Sequence, residues 1–363
     1  MMKHRTVLFV ALAALMSATF ILAVSGCPKT QEKADQTTAG PTPPAGPTAA
    51  KAAGSPDGKI TIAMVPKLIG IDFFNACEKG AKEAAAELGP EVELIYDGPN
   101  ESKVERQIEM INSFVDQGVD VVAVAANDPD AISGCLKRAA DAGVIPITWD
   151  SDASPEASGR RFFINQATPE SIGYALMDEL ARQAGEDASY AIISGTPTAA
   201  NQNIWMEYME KRRVEKYPKM TALTTEFPGE DQAAAMEAAQ GLLKRYPDIK
   251  GILGITSVSF PGAVEAVVNA GKQKDVSVVG LATPNPMKEW IHNGDIKSVV
   301  LWNPVDLGYL TIYACVAAKK GELEKGATSF KAGRLGEVKV DGDQVILGDP
   351  LIFTKDNIDQ YDF

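Results

Sequence analysis

Histidine is almost missing from this 363-residue sequence, which has only His4 and His292. Its scarcity takes away the commonest general base and the commonest metal ligand. Cysteine is nearly as rare. Of the four, Cys77, Cys135 and Cys315 lie in the body of the chain. Being odd in number and widely spaced, they give neither a disulfide framework nor a zinc site. Cys77 and Cys315 fall in apolar helical patterns, where a thiol packs as a small hydrophobe, so all three are expected to be buried and free. Basic charge is outweighed: 35 Lys and Arg against 48 Asp and Glu leave a net charge of −13. With no basic stripe after residue 58, that balance excludes a nucleic-acid partner and an anionic-membrane surface. No Gly-x-Ser-x-Gly, His-Glu-x-x-His or Walker motif occurs, and "GTPTAANQN" is too poor in glycine to cradle a phosphate. Asp150 and Asp152 form the one conceivable acid–base pair, and two carboxylates close in sequence say little about a reaction. The reading is a non-enzyme with no cofactor and no metal.

What is present begins with a leader. Lys3 and Arg5 precede an uncharged apolar run from Val7 to Val24, which ends in Ser25-Gly26-Cys27. A charged region, an apolar region and small residues make a secretory signal; the alternative is one membrane span at the lower edge of length. Val-Ser-Gly-Cys resembles the lipobox of bacterial lipoproteins, which is cut before a cysteine that receives lipid. Residues 1–26 are thus expected to be removed, with Cys27 lipidated. Residues 27–57 are rich in Pro, Ala, Thr and Gly and read as a disordered tether.

From Lys59 onward, strands and helices alternate. "KITIAMV", "EVELIY", "VDVVAVAA" and "VIPITW" read as strands. Between them run helices such as "DFFNACEKGAKEAAAELG", which places Phe73, Cys77, Ala81, Ala84 and Leu88 on one face. Asp128 is a candidate cap for a helix over "DPDAISGCLKRAADAG". After a break near "FFINQATPE" the alternation restarts, with strands at 188–194, 221–226, 249–255 and 276–281. A helix near 285–293, a strand "IKSVVLW" and a long helix from Leu307 to Lys319 follow. Strands apolar on both faces, each followed by a helix, predict parallel sheets covered on both sides. The fold class is therefore α/β, with two doubly wound parallel-sheet lobes.

Ligands of such sheets bind outside the carboxyl ends of the strands. Asp150 follows the fourth strand, Lys67 follows "IAMVP", Phe73 and Phe74 open the first helix, and Asn201 and Gln202 follow "YAIISG". A lysine, two aromatics, a carboxylate and two amides around one crevice suit a polyhydroxylated small molecule. Asp152 is expected to face solvent or to cap a turn.

The stretches "PKLIGIDFF", "YDGP", "ANDPDA", "TWDSD", "INQATPE", "YPDIKGI", "TPNPM", "LWNPVDLGYL" and "IFTKDNIDQYDF" together resemble one family. It is that of the substrate-binding proteins of bacterial ABC sugar importers, with the periplasmic-binding-protein type I fold. The similarity is to the branch of the rhamnose-binding and autoinducer-2-binding proteins. It implies lobes discontinuous in sequence, 58–163 plus 285–349 and 164–284 plus 350–363. Three hinge crossings, near 164, 284 and 349, would join them. It places ligand contacts on Lys67, Phe73, Phe74, Asp150, Asn201, Gln202, Ile255, Ser257 and Trp302. The autoinducer-2 pattern has an aspartate, a proline and an alanine where Asn201, Ile255 and Ser257 stand. That departure favours rhamnose or a related deoxy-sugar; autoinducer-2 uptake and a sensor for a chemotaxis or kinase partner are the alternatives. The resemblance further implies a monomer that partners an ABC permease, held by its lipid anchor in the periplasm or at the outer cell surface. Repressors of the same core fold need an N-terminal helix-turn-helix, and here a leader and a tether stand in its place.

Overall fold

A computed structural model describes residues 58–363, all within one compact unit. The leader, Cys27 and the tether lie outside the described residues. The first run comprises β1 (Ile60–Val65), α1 (Asp72–Leu88), β2 (Val92–Tyr96), α2 (Val104–Asp116), β3 (Val121–Val124), α3 (Pro129–Asp141), β4 (Ile145–Trp149), α4 (Pro155–Ser158) and β5 (Phe163–Asn165). The second comprises α5 (Pro169–Ala184), β6 (Ser189–Ile193), α6 (Ala200–Lys216), β7 (Thr221–Glu226), α7 (Gln232–Arg245), β8 (Gly251–Gly254), α8 (Ser259–Asn269) and β9 (Ser277–Gly280). Then come α9 (Pro284–Asn293), β10 (Val299–Leu301), α10 (Pro304–Lys320), β11 (Ser329–Lys331), β12 (Glu337–Asp341), β13 (Gln344–Ile346) and β14 (Leu351–Phe353).

The larger sheet runs β2-β1-β3-β4-β5-β13-β12-β11, and the smaller runs β7-β6-β8-β9. The expected parallel pairing holds through β5 and across the smaller sheet. The far edge of the larger sheet differs, because β11, β12 and β13 form an antiparallel meander. Strand β10 pairs antiparallel with β14, and Val300 bridges Leu281 just beyond β9.

The strands are apolar on both faces because both faces are covered. In β1 and β3, Ile62, Met64, Val121 and Ala123 turn to the α1 and α10 side, while Ala63, Val65, Val122 and Val124 pack with Ile111, Ile132 and Leu136 of α2 and α3. Cys77, Cys135 and Cys315 are buried and free, and burial pushes their thiols above the usual range. Asp128 caps α3, its Oδ1 accepting from the amides of Asp130 and Ala131 with Pro129 at the first position. The same device opens α5 at Thr168-Pro169 and α10 at Asn303-Pro304.

Helices α1 and α10 cross so closely that only glycine fits at the contact. A Cβ on Gly80 would lie 1.7 Å from the Val305 carbonyl oxygen, and one on Gly308 would lie 1.9 Å from that of Cys77. Gly80→Ala should therefore destabilise the fold by about 3 kcal/mol through forced separation of the helices. Gly134→Ala in α3, where nothing lies within 4 Å of the new methyl, should instead stabilise by roughly 0.5–1 kcal/mol. Chemical denaturation of the two variants checks both signs.

Candidate functional site

The strand orders put a switch point between β1 and β3 in one sheet and between β6 and β8 in the other, where loops diverge and leave a crevice. Lys67 follows β1, Asp150 ends β4, Asn201 and Gln202 open α6 beyond β6, and Ile255, Thr256 and Ser257 follow β8. All of these line one cavity, as do Phe73 and Phe74 of α1 and Trp302 after β10. All nine positions singled out from the sequence thus meet at one place. Ile71, Trp205, Glu230, Leu281 and Leu301 complete the wall.

One polar contact spans the crevice. Lys67 Nζ donates to Asn201 Oδ1 at 3.0 Å, and the same oxygen accepts from the Gln202 amide at 3.1 Å. Lys67 is itself held by a buried layer behind it. The Gln107 amide donates to the carbonyls of Pro66 and Ala125 at 2.9 and 2.8 Å, and its oxygen accepts from the Asn127 amide at 3.0 Å. Asn127 Nδ2 then donates to the Lys67 carbonyl at 2.8 Å. The apolar wall is a chain of edge-to-face rings. Trp302 meets Phe73 at 5.9 Å and Trp205 at 5.7 Å, Phe73 meets Phe74 at 5.2 Å, and Phe74 meets Trp149 at 5.7 Å. Trp302 Nε1 and Gln202 Oε1 are buried without a hydrogen-bond partner, which leaves a donor and an acceptor for a bound molecule.

Asp150 is the one described non-glycine residue in the left-handed region, at φ 60°. Its amide donates to the Ile164 carbonyl at 3.1 Å, and Ser151 folds back to donate to the Trp149 carbonyl at 2.6 Å. This kink ends the strand and turns the carboxylate into the cavity. Burial pushes the Asp150 carboxyl up to about 6 and Glu230 adds to the rise, while Lys67 pulls against it.

Asp152 neither faces solvent nor simply caps a turn, as the sequence had suggested. It accepts from the Thr148 hydroxyl and from Arg160 at 2.6 Å, and Arg160 also donates to Asp343 at 2.9 Å. The Arg160 side chain is 1% exposed, and a buried cation needs such partners. Asp150 and Asp152 therefore do not work as a pair. His292 pairs at the surface with Asp359 at 3.0 Å. It is not among the residues that line the cavity. Among the described residues no cluster of His, Cys, Asp or Glu is arranged to hold a metal ion, and no helix is long and apolar enough to cross a membrane.

Sequence reasoning missed Glu230, which lies in the loop before α7. Its carboxylate reaches the cavity because Gly195 opposite has no side chain: a Cβ there would lie 2.4 Å from Glu230 Oε1. It also missed Gln107, a polar residue on the otherwise apolar face of α2.

With this geometry in view, the chain matches the model of the periplasmic binding protein domain over residues 62–323, and it belongs to that family. Members are solute-binding proteins, not enzymes. The chain is similar to a sugar ABC transporter protein from Actinomyces odontolyticus, with 34% identity, 84% of this chain and 97% of that one covered, and a TM-score of 0.68. It is similar to LsrB from Clostridium saccharobutylicum in complex with AI-2, with 28% identity, coverage of 84% and 100%, and a TM-score of 0.79. It is equally similar to an ABC transporter solute-binding protein from Clostridium phytofermentas with bound L-rhamnose, with 28% identity, coverage of 84% and 98%, and a TM-score of 0.78.

The Asp150 environment predicts a stability trade. The folded carboxyl titrates near 6 instead of 3.8, so the folded state keeps a proton that the unfolded chain gives up in that window. Stability should fall as pH rises from about 4 to 6 and stay lower above it. Asp150→Asn removes this dependence and suits the left-handed backbone. Denaturation at pH 7 should find it more stable than the parent by about 2–3 kcal/mol, with little gain at pH 4.

Proposed function

We propose that the protein captures one small neutral sugar between two lobes and delivers it to an ABC importer. The observation that carries this is the convergence of Lys67, Asp150, Asn201, Gln202 and Trp302, from loops of both sheets, on one cavity. The matched relatives are named as importer proteins for sugars or as complexes with such ligands, and that supports the same reading. The nine residues named above are its ligand contacts. In this reading the chain changes lobes at 166–168, at 302–303 and at 347–350. The pairing of β10 with β14 and the Leu281–Val300 bridge support a second changeover later than 284.

The ligand is rhamnose or a related deoxy-sugar. Ile255 and the rings of Phe73, Trp205 and Trp302 give an apolar surface for a methyl group and a C–H face. The polar groups number enough for a few hydroxyls, and a site built around them rejects analogues that leave them unpaired. A second reading, autoinducer-2, is favoured by one observation: Glu230 supplies a second carboxylate although Asn201 is neutral. Calorimetry with L-rhamnose, D-ribose and autoinducer-2 on residues 58–363 decides between them. Rhamnose should bind most tightly; autoinducer-2 binding tighter than rhamnose would overturn the deoxy-sugar reading. An Asn201→Asp, Ile255→Pro, Ser257→Ala variant should shift preference toward autoinducer-2. Scattering should show a more open molecule without ligand than with it.

Cys27 is proposed to carry the lipid that holds the protein at the membrane as a monomeric receptor. An acyl chain adds about 0.8 kcal/mol per buried methylene. Cys27→Ala should therefore move the protein from the membrane to the soluble fraction on cell fractionation.

A further inference from the structure

Two carboxylates and one ammonium meet in this cavity, and the neutral groups around them do not balance the charge. Asp150 enters from the larger sheet and Glu230 from the smaller one; Lys67 attracts both. Glu230 is placed for contact and not for a surface role. Gly195 leaves it room, and Gln202 Nε2 lies 3.4 Å from its Oε1. Its other ordinary ways of being neutralised are absent from the cavity wall, which holds no arginine and no histidine.

We propose that Glu230 is a further ligand-contacting residue, acting with Asp150 as a carboxylate pair that closes on a neutral sugar together with one proton. This rests on the reading of the cavity as a sugar site. A neutral sugar that displaces water brings no charge of its own, so the closed cavity would retain a net negative charge at high local cost. One proton taken from the buffer onto the pair cancels it. The protonated member then donates to a sugar oxygen, while the ionised member accepts from hydroxyls and faces Lys67. Because Glu230 raises Asp150, the titration belongs to both. Burial raises both carboxyls before any ligand arrives, and their mutual repulsion raises Asp150 further. Tyr96 and Cys77 stand behind Asp150; burial raises both well above their usual range, so they stay neutral.

The test is calorimetry with L-rhamnose, D-ribose and autoinducer-2 in buffers of differing ionisation enthalpy. With whichever probe binds, the unmodified protein should take up close to one proton at pH 7, and its affinity should weaken about tenfold per unit from pH 7 to 8. Glu230→Gln should abolish the uptake and flatten the pH profile, and should weaken binding at pH 7 about tenfold while melting like the parent. An unmodified protein with no uptake, or a Glu230→Gln variant that keeps uptake and affinity, overturns the proposal. If none of the three probes binds, the choice of sugars falls. The pair is then read in the unliganded protein by infrared titration of the protonated-carboxyl stretch. That band should persist to about pH 6, and Asp150→Asn and Glu230→Gln should each shift or remove it. Identical titrations in all three proteins overturn the proposal.

Discussion

The hydrogen bond from Lys67 to Asn201 is the contact on which the site depends, because it joins the two sheets through the middle of the cavity. Each partner is fixed on its own side. Lys67 is the first residue past the Pro66 that ends β1, and its backbone is pinned by Gln107 and Asn127. Asn201 stands in the first turn of α6, where its oxygen also accepts from the next amide. A ligand that enters must replace or share this bond. The groups exposed by replacing it, an ammonium and an amide, are the ones a hydroxyl can satisfy. The conformation is thus self-consistent without ligand and convertible with it. Trp302 plays the apolar counterpart, touching Phe73 on one side and Trp205 on the other.

Building this site costs stability in identifiable places. Asp150 adopts a backbone conformation that costs an ordinary residue on the order of 1–3 kcal/mol, and its carboxylate is held in a setting that resists ionisation. Two polar atoms, Gln202 Oε1 and Trp302 Nε1, are buried without partners. The surrounding core offsets these costs. Strand β1 is covered on both faces, and α1 meets α10 at backbone distance through Gly80 and Gly308. The rigid part of the larger sheet therefore lies directly beneath the residues that are strained.

Most of the architecture was legible in the sequence because its strands are buried on both sides, and such strands appear as unbroken apolar runs ended by a turn. The strands at 188–194, 221–226, 249–255 and 276–281, the helix near 285–293 and the cap at Asp128 are found within a few residues of where the pattern puts them. What was missed has short period or lies at an edge. Strand β5 is three residues long, too short to show a pattern. The β12–β13 hairpin was missed too, although Val338, Val340 and Val345 alternate with polar residues around Asp341-Gly342. The nine cavity residues came from a family resemblance joined to the strand-end rule. Glu230 escaped both, because it stands in a loop beside Asp231, the cap of α7, and only the absence of a side chain at Gly195, far away in sequence, brings it inward. Gln107 escaped because a single amide on an apolar helix face leaves no signal of what it holds.

The two aspartates after Trp149 show how one short segment serves two ends. Asp150 is turned inward by its left-handed backbone and contributes charge to the cavity. Asp152, two residues on, turns to Arg160, which reaches on to Asp343 at the start of β13. Arg160 is almost wholly buried, and leaving a buried cation without a partner costs several kcal/mol. The ion pair therefore ties the loop that carries Asp150 to the edge hairpin. Strand β13 also pairs in parallel with β5, whose Ile164 carbonyl receives the Asp150 amide. The antiparallel meander at the sheet edge is thus a support for the carboxylate that enters the cavity. Removing it would release the kink that aims Asp150, even though no residue of the meander lines the cavity.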